Sequence, residues 1–211
     1  GLVEPAVYHA LQAQDLRLAS SLLGQAIYGA LNRDDRMTLD RWLSWLPEDY
    51  VQERPELLLL RAMSLQFAWR LSAQQRLIAT IGALLEREEV ETGASQALLG
   101  MQAQLSVLRS QRAYFAMDFQ GAIRECEQVL ALASRSWTYL RGSAMLYWGP
   151  SLQASGEFEA AERLLLDTFE QYADKSDGFA LRICLGLCFI YSAEGKLELT
   201  RQTAPDKLCH S

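Results

Sequence analysis

Met117-Asp118-Phe119-Gln120-Gly121-Ala122-Ile123 is echoed by Gly156-Glu157-Phe158-Glu159-Ala160-Ala161-Glu162, and again by Gly195-Lys196-Leu197-Glu198-Leu199-Thr200-Arg201. Phe119, Phe158 and Leu197 stand 39 positions apart, and a fixed period in the range of about 20–50 residues marks a repeat architecture. Each copy reads as the turn and start of the second helix in a helix pair. A turn residue comes first (Asp118, Gly156, Gly195), where glycine accepts a positive φ without a Cβ clash. The following aromatic or leucine is expected to plug the cleft towards the first helix, and Ala122 and Ala161 mark a close helix approach. Weaker copies begin at Leu71 and Leu16, at longer spacings of 48 and 55 residues.

Outward from these copies, apolar residues recur three and four apart and strand-type alternation is absent. Helices are predicted over about 4–14, from an Asp15 cap to about 31, over 37–46 and over 57–69 with Pro55 in the first turn. Others are predicted from a Ser72 cap to about 88, then over 94–117, 118–133, 138–154, 157–173 and 178–193, with a last one from Lys196. The fold class that follows is all-α: a right-handed α-solenoid of antiparallel pairs, about ten or eleven helices, each pair completing its core only against its neighbours. Residues 1–211 are expected to form a single helical repeat domain. Within it, 1–90 holds irregular N-terminal pairs and 94–204 the regular 39-residue repeats, the last truncated. Gly149-Pro150 falls inside the 138–154 helix, where proline removes a hydrogen bond and predicts a kink.

The bulk numbers exclude several function classes. A net charge of −6 over 211 residues argues against direct nucleic-acid contact, which needs a basic patch to displace counterions. Cys126, Cys184, Cys188 and Cys209 have no framework spacing, and Cys184 and Cys188, one turn apart on an apolar run, read as buried thiols. His9 and His210, the only histidines, lie at opposite ends, so no metal is expected. A signal peptide and a spanning apolar run are both lacking, which leads to the expectation of a cytoplasmic protein without membrane contact. No phosphate-cradling loop or H-E-x-x-H is present, and Ser95 in Gly93-Ala94-Ser95-Gln96-Ala97 reads as a helix cap, not a nucleophile. Neither catalysis nor a cofactor is expected.

In such a stack the first helix of each pair lines the concave face. The inward register selects Gln104, Gln111 and Tyr114, then Ser143, Tyr147 and Gln153, then Arg182 and Phe189. Amides, tyrosines and one arginine among apolar walls suit a small polar effector or a peptide segment. Trp42, Trp45, Trp69 and Trp148 read as inter-helix core.

The N-terminal half carries a further pattern. His9-Ala10-Leu11-Gln12-Ala13-Gln14-Asp15 before an Ala- and Leu-rich helix, Trp42-Leu43-Ser44-Trp45-Leu46-Pro47-Glu48, and Arg54-Pro55-Glu56-Leu57-Leu58-Leu59-Leu60-Arg61-Ala62 resemble the tetratricopeptide-like repeat region of large ATP-binding LuxR-type, MalT-like transcriptional regulators. The resemblance implies a non-catalytic region that senses a small-molecule effector or a protein partner and takes part in self-association. It places a nucleotide-binding switch module and a helix-turn-helix module of the same protein outside this chain. Departing from the pattern, Pro205 cuts the last helix short, and Asp206 to Ser211 matches no repeat. The expectation is a natural chain that continues, or a tail foreign to the family. The alternative function is a stand-alone scaffold that holds a peptide or partner helix.

Overall fold

The structure is a computed structural model that describes residues 3–33, 35–93, 95–172 and 177–206. Among them are twelve α-helices and no strand. They gather into two compact units, 1–101 and 102–211. The division falls inside the seventh helix, a few residues after the 90–94 break that the repeat spacing indicates.

The first unit holds α1 (Val3–Gln12), α2 (Leu16–Asn32), α3 (Arg36–Ser44), α4 (Glu48–Gln52), α5 (Pro55–Phe67) and α6 (Leu71–Thr92). Helix α1 packs on α2, α5 packs on α6, and α5 also meets α2, α3 and α4. Leu23, Ile27, Leu39, Leu57, Leu59, Leu60, Met63, Ile81 and Leu85 fill its core. Asp15 and Asp35 cap α2 and α3, each carboxylate accepting the N–H three residues on (2.9 and 3.1 Å), which satisfies one of the orphan donors of the first turn. Helix α4 has only five residues and no periodicity to reveal it, and it is absent from the sequence-based reading. At α6 the cap is Arg70 and not Ser72, which lies inside the helix.

The second unit begins within α7 (Gln96–Phe115) and continues with α8 (Phe119–Leu132), α9 (Thr138–Ala154), α10 (Phe158–Tyr172), α11 (Asp177–Ala193) and α12 (Leu197–Asp206). Ser95 Oγ accepts the Leu98 N–H at 3.1 Å, the cap role expected of it. Helix α9 packs against α8, α10 and α11, and α11 also packs against α10 and α12. Leu165 of α10 is fully buried between two glycines: a Cβ on Gly149 of α9 would meet it at 2.7 Å, and one on Gly186 of α11 at 3.2 Å. Gly149 therefore serves close packing, and α9 runs as one element through Pro150. Helix α12 ends one residue beyond Pro205, and residues 207–211, most of the divergent tail, lie outside the described residues.

Five turns share one geometry. Gln14, Trp69, Met117, Gly156 and Gly195 have φ of +58°, +54°, +60°, +89° and +72°. The N–H of each bonds the carbonyl three residues back at 2.9–3.2 Å, and the next N–H bonds the carbonyl five back at 2.8–3.0 Å. This is the Schellman pairing that closes a helix on a left-handed residue. The same next residue (Asp15, Arg70, Asp118, Glu157, Lys196) caps the following helix, its carbonyl accepting the N–H four residues on at 2.9–3.1 Å. The left-handed residue in the third turn is thus Met117, one place before the Asp118 to which the sequence register assigned it; Asp118 has φ −85° and caps α8 by accepting from the Gly121 N–H at 2.9 Å. The upstream copies at Leu16 and Leu71 follow the same turn as the downstream ones. Ala19, Ala122 and Ala161, three residues into the second helices, are fully buried.

Two expectations are corrected. Phe119 reaches back to the Tyr114 ring (6.0 Å), but Phe158 and Leu197 are largely exposed and plug no cleft. Trp69 holds the left-handed position and is 66% exposed, so it is not core, whereas Trp42 is buried and donates its indole N–H to Glu4.

A left-handed L-residue costs about 1–2 kcal/mol in local sterics, part of which glycine returns as chain entropy. Met117 is 79% exposed, so Met117→Gly sacrifices no burial. It should raise unfolding free energy by about 0.5–1 kcal/mol. Gly156→Val should lower it by about 1–2 kcal/mol. Urea titrations at unchanged slope read both, and no shift in either variant would refute the strain assignment.

Candidate functional site

The first helices α7, α9 and α11 carry all eight residues selected from sequence. Six of them, Gln104, Gln111, Ser143, Tyr147, Gln153 and Arg182, are buried; Tyr114 is half-buried and Phe189 is exposed. Four of the six, Gln111, Tyr147, Gln153 and Arg182, join one first helix to the next. Gln111 Nε2 donates to Tyr147 Oη at 2.9 Å, linking α7 to α9, and the Tyr114 and Tyr147 rings lie 5.8 Å apart over the same seam. Gln153 Nε2 donates to the Ile190 carbonyl at 2.6 Å, linking α9 to α11. The Arg182 guanidinium stands 4.4 Å over the Tyr139 ring and donates to the Gly178 carbonyl at 2.8 Å.

Gln111, Tyr147 and Gln153 therefore act as seams between helices and not as an open lining. A buried polar side chain needs its hydrogen bond, because a lost partner costs about 1–3 kcal/mol of uncompensated desolvation. Residue type and spacing are the same for a seam and for a groove wall; only the position of the neighbouring helix separates them.

A second polar cluster closes the far end of the second unit. Tyr191 Oη donates to Glu162 at 2.8 Å, and Lys196 Nζ lies 2.7 Å from Glu194 and 3.5 Å from Glu162. Burial and the Glu162 carboxylate hold the Tyr191 phenol well above its usual range, and the bond to Glu194 raises the Lys196 ammonium. Two carboxylates share the one ammonium, and the cluster ties α10 and α11 to the last turn. At Cys126, burial pushes the thiol up to about 12 while its Sγ donates to the Ala144 carbonyl at 3.2 Å. It is a neutral packing group at ordinary pH, not a thiolate.

What the first helices leave open becomes visible when they are aligned on their left-handed turns. Ala103, Val107 and Gln111 of α7 correspond to Gly142, Leu146 and Pro150 of α9, and to Leu181, Leu185 and Phe189 of α11. The α7 set is 0%, 0% and 1% exposed. In α9, Gly142 and Pro150 are buried and Leu146 is half-buried, with Gly142 against Phe179 and Arg182 of α11. The α11 set is 40%, 43% and 58% exposed. Of the residues selected from sequence, Phe189 belongs to this stripe; Leu181 and Leu185 were missed, because α11 is apolar on all sides and its period does not tell the open face from the covered one.

Compared with known proteins, no family model matches the chain and no solved structure matches it. No helix of the described residues is long and apolar enough to cross a membrane.

Tyr147→Phe keeps the ring and removes the hydroxyl that accepts from Gln111. It should lower stability by about 1–2 kcal/mol while far-UV circular dichroism is unchanged. A wild-type denaturation midpoint would contradict the seam role.

Proposed function

We propose that this chain is a non-catalytic interaction module, a right-handed α-solenoid of antiparallel helix pairs in the tetratricopeptide-like manner, which seats a partner on the open face of α11. The observation that carries the reading is the transposition of one face along the repeat: covered on α7 and α9, exposed on α11 at Leu181, Leu185 and Phe189. An apolar stripe at i, i+4 and i+8 suits the apolar face of another helix. The 39-residue period and the five matching turns support the solenoid arrangement.

The resemblance of residues 9–15, 42–48 and 54–62 adds a setting. In it the chain is the effector- or partner-sensing region of a MalT-like, LuxR-type regulator, in the cytoplasm. The nucleotide-binding and helix-turn-helix modules then lie elsewhere in the same protein, and effector binding works through different affinities for two docking states. The second reading, a stand-alone scaffold for a peptide or partner helix, is favoured by the same stripe and needs neither module.

Phe189→Glu separates these readings when the purified chain is titrated with the nucleotide-binding module encoded by its gene. The variant should melt like the wild type, because the site is exposed, and bind at least about tenfold more weakly (~1.4 kcal/mol). A gene without either module leaves the scaffold. Equal affinity of variant and wild type would remove α11 as the docking face.

A further inference from the structure

The cleft between the C-terminal half of α7 and the start of α8 differs in its charges from two other clefts among the described residues. Its volume is about 320 Å³, and Arg109, Arg112 and Arg124 line it together with Asp118 and Glu125. Among the described residues none of these three arginines has an ion pair or a hydrogen bond. Elsewhere Arg41 pairs with Glu4, Arg61 with Glu48 and Arg201 with Glu198. Glu125 Oε2 is buried with no hydrogen-bond partner. Asp118 is committed to its helix cap.

Unsatisfied groups of both signs thus share one small space. Three guanidinium donors and two carboxylates leave the cleft one positive charge in excess. Planar guanidinium groups match carboxylate oxygens in paired hydrogen bonds. The half-buried Glu125 carboxylate in the wall offers an acceptor to a ligand's ammonium. The volume falls in the range of small-molecule sites, and Gly121 with two alanines keeps the walls clear of bulk. The cleft beside Val3 and Gln25 lacks this property: its Glu4 carboxylate already takes both Arg41 and the Trp42 indole N–H. In the cleft beside Trp148, Arg141 Nη1 donates to the Leu130 and Ala133 carbonyls.

We propose that the α7–α8 cleft is a binding site for an acidic amino acid, whose carboxylates take the Arg109, Arg112 and Arg124 guanidinium groups and whose ammonium takes Glu125. One net negative charge on the ligand complements the one positive charge of the cleft. Arg109, half-buried in the wall, is the anchor, and the exposed Arg112 and Arg124 close over the ligand. The site is separate from the open face of α11, so loss of one function leaves the other intact.

Isothermal titration with L-glutamate at millimolar concentration is the test, with glutarate and inorganic phosphate as the arms that lack the ammonium. L-glutamate should bind, and glutarate should bind at least about tenfold more weakly because it leaves Glu125 unpaired. Arg109→Gln and Arg124→Gln should each weaken glutamate binding about tenfold or more. Glu125→Gln should erase the preference for glutamate over glutarate. The proposal is overturned by no heat with L-glutamate, by equal binding of phosphate or glutarate to the wild-type chain, or by glutamate binding that survives both arginine variants. Thermal melts of the three variants, all at half-buried or exposed positions, report whether each remains folded.

Discussion

A single left-handed residue between two helices governs this chain. At Gln14, Trp69, Met117, Gly156 and Gly195 the backbone turns to positive φ, and two N–H groups in succession satisfy carbonyls of the helix just ended. The next residue already begins the following helix, so the loop has no slack. That constraint sets the angle at which two helices leave one another, places Ala19, Ala122 and Ala161 at the close approach, and brings one first helix against the next in the second unit. Glycine holds the position twice, while Gln14, Trp69 and Met117 carry the steric cost of a Cβ.

Those same residues explain how much of the fold was legible. Helices over 138–154 and 178–193, and caps at Asp15 and Ser95, follow from periodicity and capping chemistry, and the structure places them there within a residue or so. The turn register was set one residue late at Met117 because a methionine gives no chemical sign of a left-handed conformation, whereas Asp118 beside it is a familiar turn residue. Gln111, Tyr147 and Gln153 were picked out as polar positions on first helices, and they are. Their burial depends on the adjacent helix, and periodicity within one helix carries no information about its neighbour. For the same reason Leu181 and Leu185 stayed hidden in a helix that is apolar all round, and Arg109 and Arg124, 15 positions apart in sequence, gave no sign of sharing a cleft.

In the second unit several polar groups hold one helix to another. Gln111, Tyr147 and Gln153 form seams, the Cys126 thiol is neutral, and Lys196 bridges two carboxylates. Two further features of the unit are the apolar stripe of α11 and the cleft lined by Arg109, Arg112 and Arg124. In the readings proposed above, one takes a helix and the other a small acidic ligand.

Native-state hydrogen exchange at the amides of Asp15, Arg70, Asp118, Glu157 and Lys196 tests the shared turn most directly. These five amides donate the bond that reaches five residues back. All five lie in exposed residues, so solvent exclusion alone would not slow them. Protection on the order of 100-fold or more over an unstructured chain is expected at all five. Exchange at the unstructured rate at Met117-Asp118 or Trp69-Arg70, with glycine-based turns alone protected, would contradict a common turn and with it the repeat on which the rest is built.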